Sequence, residues 1–220
     1  VVGSVDRVDM FKTEENTFLR VVDYKTGGKE FKLGEVFYGL NMQMLIYLFA
    51  IWENGKDYYG DNIIPAGVLY FQAKNPKISS DKIDRYSDES AALNATFNEL
   101  SMDGVILNNM QVFEAMDSKY NGVLLPAKFD EKTGSLKGKI ISLESLTRLK
   151  DKVNESIKNM ANELHDGNIS ALPIKDACTW CQYKDVCKRE EDDPINEFEI
   201  PKFDDAISML RGEDDEQRMD

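Results

Sequence analysis

The sequence has no apolar run long enough to cross a membrane, no glycine-rich nucleotide loop, no helicase motif and no internal repeat. Its longest apolar stretch, residues 34–52, is interrupted by Glu35 and Gln43, whereas a membrane-spanning helix needs about 20 predominantly apolar residues. Lys25 precedes its neighbouring glycines instead of following them, so it does not belong to a phosphate-binding loop. We therefore expect neither a membrane segment nor a motor domain within these 220 residues.

Basic residues are scarce as well, since 27 lysines and arginines stand against 40 aspartates and glutamates, for a net charge of −13. Because phosphate contacts come from lysine and arginine, this balance argues against an extended nucleic-acid-binding surface. Residues 190–220 hold 13 acidic and 3 basic side chains, however, so residues 1–189 account for only −3 of the total. We predict a folded domain over residues 1–189 and an acidic tail over residues 190–220 that is loose or weakly helical.

Cysteine is absent outside one short segment, in which Cys178, Cys181 and Cys187 have the spacing C-x2-C-x5-C. Three cysteines within ten residues of an otherwise cysteine-free chain are typical of metal ligation. Thiolates suit zinc or an iron–sulfur cluster, and either centre normally needs four ligands. His165 could complete a zinc site, although it lies outside the usual spacing, and three ordinary thiols are the other alternative. We expect the sulfurs to converge on one point, and clustered reduced cysteines suit a cytoplasmic protein.

Two β-branched, apolar stretches at residues 1–11 and 17–25 predict an antiparallel hairpin. Side chains alternate along a strand, so Asp23 and Lys25 point to the same face, and Asp6 lies on the paired strand. An ionised carboxylate is seldom buried without a partner, and a divalent cation is such a partner. Magnesium usually takes one or two protein carboxylates, the number available here. The Asp-x-Lys triplet alone is a weak signal, because it also occurs as solvated surface charge.

Residues 34–52 are apolar almost all round, which predicts one helix buried on most sides. Gln43 interrupts this run, and a buried amide needs a polar partner. Tyr47 lies one turn later on the same helix face and could be that partner. Alternatively, Gln43 bonds to neighbouring backbone and Tyr47 belongs to the core.

The remaining periodicity indicates scaffold elements. It predicts a strand over residues 64–73, an amphipathic helix over residues 88–102 and a hairpin over residues 129–141. A last helix is predicted to begin after Ser142 and to end near Gly167.

Three motifs carry a resemblance to a known family: G-x-V-D-R-V-D at residues 3–9, D-Y-K-T-G at residues 23–27 and Q-x-x-x-Y at residues 43–47. Together they resemble the PD-(D/E)XK nuclease domain of RecB-type enzymes, and more closely that of AddB/RexB-type subunits of bacterial ATP-dependent helicase-nucleases. The resemblance covers most of residues 1–189. It implies an α/β, restriction-endonuclease-like fold, in which helices flank a mixed sheet and a cysteine-rich iron–sulfur knuckle closes the C-terminal end.

The resemblance also implies a role for each motif residue. Asp6 and Asp23 would bind Mg²⁺ or Mn²⁺, and the backbone carbonyl of Tyr24 would be a further metal ligand. Lys25 would be the catalytic lysine. Gln43 and Tyr47 would lie beside the metal and position the phosphate or the strand.

The activity implied by the resemblance is that of a magnesium-dependent DNA exonuclease domain. It would hydrolyse single strands released by unwinding, within a helicase-nuclease that processes double-strand breaks for recombinational repair, with an AddA/RexA-type subunit as partner. The three cysteines would hold a 4Fe–4S cluster whose first cysteine, like a helix ahead of the first strand, lies upstream of this chain. Two alternatives are an iron–sulfur exonuclease of the CRISPR-adaptation type and a non-enzymatic, metal-stapled interaction domain.

Overall fold

The centre of the chain is a five-stranded mixed sheet. In this computed structural model its strands are β1 (Arg7–Lys12), β2 (Thr17–Lys25), β3 (Ile63–Gln72), β4 (Asp103–Leu107) and β7 (Ile140–Ile141), and a separate hairpin consists of β5 (Ala127–Asp130) and β6 (Ser135–Gly138). The structure describes residues 3–27, 30–73, 96–97, 99–119, 122–168, 170–171, 173–174, 177–187, 189–190, 193, 195 and 198–212.

Strand order in the sheet is β1-β2-β3-β4-β7. The β1/β2 and β3/β4 pairs are antiparallel, whereas the β2/β3 and β4/β7 pairs are parallel. Both the mixed sheet and the first hairpin were predicted from the sequence. The apolar runs of β2 and β3 are buried on both faces, as expected for central strands.

Six helices are described: α1 (Leu33–Val36), α2 (Gln43–Asn54), α3 (Lys56–Tyr59), α4 (Met110–Met116), α5 (Leu143–His165) and α6 (Phe203–Arg211). One continuous helix over residues 34–52 was predicted, and this is wrong. The chain breaks between α1 and α2, where Gly39 and Asn41 have φ values of 74° and 54°. These are left-handed conformations that cannot continue a right-handed helix. None of the helices among the described residues is long and apolar enough to cross a membrane.

The two faces of the sheet have separate apolar cores. On one face α2, α5 and α6 cover a cluster that includes Val21, Val68 and Val105. On the other face Phe113 of α4 packs with Val22 and with further apolar residues, among them Leu69, Ile106 and Leu125. Successive side chains of β2 therefore point into different apolar cores, and Asp23 shares the face of Val21.

Helix α5 agrees with its sequence signals. Ser142 caps it, because its Oγ accepts a hydrogen bond of 3.1 Å from the backbone N–H of Ser145. Its apolar periodicity is buried at Leu146, Leu149 and Val153, whereas the later apolar positions Met160 and Leu164 are exposed. The predicted strand over residues 64–73 is β3, and the predicted hairpin near residues 129–141 contains β5 and β6. Most of the helix predicted over residues 88–102 lies outside the described residues.

Helix α6 lies in the tail that was predicted to be loose or weakly helical, and in this segment the tail is a regular, packed helix. Its apolar side, Ala206, Ile207 and Leu210, is buried against α5 and α1. The Leu210 carbonyl accepts a 2.9 Å hydrogen bond from Arg148 Nη1. Asp204 and Asp205 occupy the first turn of this amphipathic helix, where carboxylates favour the helix dipole.

Substitution of Leu210 measures how strongly α6 is anchored. Leu210→Ala should lower the free energy of unfolding by about 2–5 kcal/mol, because it leaves a cavity beneath the helix. Met209→Ala is the matched control, since Met209 is 40% exposed on the same helix, and its effect should stay within about 1 kcal/mol. Urea unfolding of both variants tests this, and equal effects would show that α6 does not belong to the core.

Candidate active site

Both predicted carboxylates are at the open end of the β1–β2 hairpin. Arg7 pairs with Val22, and Asp6 and Asp23 are the next residues beyond this last pair of the two strands. Asp6 is exposed and lies in a bend just before β1, not within the strand as predicted. Its Oδ2 accepts a 3.0 Å hydrogen bond from the backbone N–H of Tyr24. This bond ties the first motif to the second.

Asp23 is the most buried of the predicted site residues. It is only 8% exposed, and its Oδ2 has no hydrogen-bond partner among the described residues. Lys25 Nζ lies 2.5 Å from that oxygen and forms an ion pair with it. The ammonium balances the charge of this buried carboxylate, and a carboxylate oxygen is also the type of ligand that a hard divalent cation prefers. No group of three or more potential metal ligands occurs in the described part of the chain, so Asp6 and Asp23 remain the predicted ligands at this end of the hairpin.

Lys25 is held from two sides. Besides its ion pair with Asp23, its Nζ lies 5.3 Å from the centre of the Tyr70 ring, a cation–π distance. Tyr70 is 1% exposed and pairs with Asp23 across the parallel β2/β3 ladder. Burial, reinforced by the negative charges of Asp23, Asp103 and Glu35, raises the pKa of Tyr70 to about 12. The phenol therefore stays protonated at neutral pH and can donate a hydrogen bond.

The acceptor of that hydrogen bond is Asn41, whose Oδ1 lies 3.0 Å from the Tyr70 hydroxyl. Asn41 Nδ2 donates to the Glu30 carbonyl at 3.4 Å. Asn41 thus links β3 to the segment that follows β2, immediately before α2 begins. Sequence analysis missed both residues, because β3 looked like scaffold and Asn41 was assigned to a continuous helix.

Gln43 and Tyr47 make the contact predicted for them, because Gln43 Nε2 donates a 3.0 Å hydrogen bond to the Tyr47 hydroxyl. The expected burial of Gln43 is wrong, however. It is exposed, since the chain break at Asn41 places it at the first residue of α2. The Tyr47 ring packs against Gly3, where an added Cβ would come within 2.6 Å of Tyr47 Cε1. The first and third motifs therefore meet in space.

The three cysteines do not assemble into a metal site in this structure. Cys178 lies in a 3₁₀ turn over Ala177–Trp180 and is half-buried, whereas Cys181 and Cys187 are exposed. Among the described residues they belong to no group of three potential ligands, and neither does His165. The predicted convergence of their sulfurs is therefore wrong here. Backbone hydrogen bonds from Cys181 and Cys187 N–H groups define local turns, and such turns alone do not bring three thiols to one point.

The comparisons with known proteins agree with this geometry. A model of the PD-(D/E)XK nuclease superfamily matches residues 1–188. The chain belongs to the PD-(D/E)XK nuclease superfamily, as the three motifs predicted.

Among curated proteins the chain is similar to several that are named as a subunit of an ATP-dependent helicase/deoxyribonuclease. The protein from Ruminiclostridium cellulolyticum is 35% identical over 91% of this chain and 18% of its own length. That from Acetivibrio thermocellus is 36% identical over 99% of this chain and 20% of its length. That from Clostridium novyi is 32% identical over 98% of this chain and 20% of its own length. The chain spans about a fifth of the length of these relatives.

Substitution of Tyr70 tests the link between β3 and the start of α2. Tyr70→Phe should lower the free energy of unfolding by about 1 kcal/mol, because Asn41 loses a hydrogen-bond donor. Tyr58→Phe is the control, since Tyr58 is 87% exposed, and it should change stability by less than about 0.5 kcal/mol. Urea unfolding measures both. Equal values would mean that the hydrogen bond to Asn41 contributes nothing.

Proposed function

We propose that this chain is a metal-dependent DNA exonuclease domain that hydrolyses phosphodiester bonds in single strands. The observation that carries the proposal is the environment of Asp23: a buried carboxylate paired with a lysine ammonium, in a strand to which a second aspartate, Asp6, is hydrogen-bonded at the next residue. Membership of a nuclease superfamily supports the same conclusion.

The chemistry assigns a task to each side chain. Asp6 and Asp23 would hold Mg²⁺ or Mn²⁺, with the Tyr24 carbonyl as a further ligand. When bound, such an ion neutralises the scissile phosphate and lowers the pKa of a coordinated water. Lys25 would orient the attacking water or stabilise negative charge on the phosphoryl oxygens as the bond breaks. This role requires an ammonium in a fixed position, and the cation–π contact with the Tyr70 ring helps to hold it there.

The hydrogen-bonded pair of Gln43 and Tyr47 would position the strand. Both side chains are reachable by solvent, and the pair is held by the contact of Tyr47 with Gly3. An exposed amide and a partly buried phenol can donate hydrogen bonds to phosphate oxygens without burying a charge. Tyr47 also packs against the core, so its ring would anchor the pair while the exposed Gln43 amide faces solvent.

The names of the relatives guide the wider proposal. They are called subunits of a helicase/deoxyribonuclease, so we propose that this domain acts in the cytoplasm beside an AddA/RexA-type subunit on strands released from double-strand breaks. A 4Fe–4S cluster at Cys178, Cys181 and Cys187 is a prediction from the resemblance alone. No step proposed here depends on it.

Metal removal tests the proposed function in the intact protein. Single-stranded DNA prepared in advance should be cleaved without ATP, since no unwinding is needed. Chelation should abolish cleavage and added Mg²⁺ or Mn²⁺ should restore it, because two carboxylates can neutralise the phosphate only through a cation. Product release from end-labelled strands is the measurement. Cleavage that persists in excess chelator would refute the proposed mechanism.

A further inference from the structure

A cluster of two arginines and one aspartate lies on the face of the hairpin that is turned away from Asp23. Asp9 pairs with Arg20 across the β1/β2 ladder, and Arg7 pairs with Val22. Val22 packs on the core under α4, so these side chains share that face, because directly paired residues point the same way. The hairpin therefore carries a metal-binding face and a separate arginine-bearing face.

One carboxylate serves both guanidinium groups in this cluster. Arg7 Nε lies 2.6 Å from Asp9 Oδ1, and Arg20 Nε lies 2.7 Å from Asp9 Oδ2. Although burial alone would raise the pKa of Asp9, the hydrogen bonds from Arg7 and Arg20 hold it below its usual range. The cluster thus keeps a net charge of +1, in a chain whose total charge is −13.

The arginines line an open cleft between the hairpin and α4. Its volume is about 500 Å³, within the range of roughly 300–1,000 Å³ that is usual for ligand sites. Arg7, Asp9 and Arg20 contribute to one wall, and Val112, Ala115 and Met116 of α4 form the other. We call this space the hairpin cleft. It combines cationic hydrogen-bond donors with an apolar wall.

The hairpin cleft is connected in sequence to the proposed cleavage site, because its residue Arg7 directly follows Asp6. Arg7 Nη1 donates a 3.3 Å hydrogen bond to the Tyr24 hydroxyl. Tyr24 stands between Asp23 and Lys25 in sequence and points to the opposite face. Its ring is 43% exposed and meets Phe71 edge to face, with 5.7 Å between ring centroids. A partly exposed aromatic ring fixed beside an arginine is suited to stacking with a base.

We infer that the hairpin cleft binds single-stranded DNA next to the scissile bond, with phosphates at Arg7 and Arg20 and bases against Tyr24 and the α4 wall. This inference rests on the proposed function. DNA is favoured over an acidic peptide because the cleft has a cationic wall, and because Tyr24, which Arg7 contacts, offers a partly exposed aromatic ring next to that wall. A strand that passes the edge of β1 would contact both faces of the hairpin.

Two substitutions with opposite expected signs test the inference in the intact protein. Arg7→Gln removes a phosphate contact, so KM for single-stranded DNA should rise severalfold, and the slope of log KM against log salt should fall by about 0.7. Asp9→Asn keeps the shape of the carboxylate but frees both guanidinium groups, so KM should fall severalfold. Lys12→Gln, at the other end of β1, is the matched loss of an exposed cation and should leave KM unchanged. If neither Arg7→Gln nor Asp9→Asn shifts KM, the inference fails.

A cross-linking experiment covers the case in which these variants fold poorly. A benzophenone amino acid at position 10 would lie at the cleft, because Met10 lines it and is 51% exposed. Irradiation should attach it to bound DNA, whereas the same probe at the exposed Leu164 should not react with DNA. Cross-links from position 10 only to protein would overturn the inference in favour of a peptide partner. The cross-link should persist in Asp23→Asn, so a failure of the cleavage proposal can be told apart from a failure of the cleft.

Discussion

Asp23→Asn should abolish DNA cleavage while leaving the fold intact. The variant removes the charge of the buried metal ligand but keeps its shape. Metal ions supply several kcal/mol of transition-state stabilisation, and each 1.36 kcal/mol corresponds to a tenfold change in rate, so we expect a loss of about 10³-fold or more. The free energy of unfolding should change by no more than about 1 kcal/mol, because the remaining Lys25 ammonium is within reach of water.

The control for this variant is Asp61→Asn. Asp61 also forms an ion pair with a lysine, 2.8 Å from Lys56 Nζ, but both side chains are largely exposed. Exposed pairs contribute little, so neither the cleavage rate nor stability should change. Single-turnover cleavage of end-labelled single strands and thermal unfolding measure the two quantities. Full activity of Asp23→Asn would remove the basis for the metal site.

Lys25→Met should lower kcat by about 10²–10³-fold, the usual cost of losing one preorganised stabilising group. Methionine retains the apolar stem over the Tyr70 ring but lacks the ammonium. Metal affinity should be equal or higher, since Lys25 Nζ lies 2.5 Å from Asp23 Oδ2 and therefore competes with a metal cation for that oxygen. A lower kcat together with undiminished metal affinity would separate a catalytic lysine from a merely structural one.

Lys56→Met is the matched control, because it removes an equally paired but exposed ammonium. Calorimetric titration with Mn²⁺ and cleavage rates at saturating DNA give the two readouts. Unchanged kcat in Lys25→Met would assign Lys25 to surface charge, the alternative that the triplet alone leaves open.

The hairpin and its motif residues could be predicted because their signals are local. Alternation of apolar residues sets which side chains share a face, so Asp23 and Lys25 had to be neighbours on β2. The contact between Gln43 and Tyr47 follows in the same way from the i, i+4 spacing of a helix. Local geometry did not show that Gly3 packs against Tyr47, because these residues are far apart in the chain.

The errors arose where tertiary contacts overrode local pattern. Residues 34–52 are mostly apolar, yet Gly34 lies against the Pro201 carbonyl, which an added Cβ would approach within 2.2 Å. Packing of the segment before α6 against α1 and the hydrogen bond from Tyr70 to Asn41 favour two helices over one. In the tail, the sequence did not show that Ala206, Ile207 and Leu210 are buried, because the surfaces of α1 and α5 that cover them come from distant parts of the chain.

By itself, the sequence determined the hairpin, the faces of its side chains, the α5 cap and the family, because each depends on neighbours a few residues apart or on contiguous motifs. Only the tertiary structure decided the burial of Asp23, the support of Lys25 by Tyr70 and Asn41, and the cleft beside α4. These properties depend on strands and helices brought together from distant parts of the chain. Burial and electrostatic environment are sums over such distant neighbours, so no local pattern encodes them.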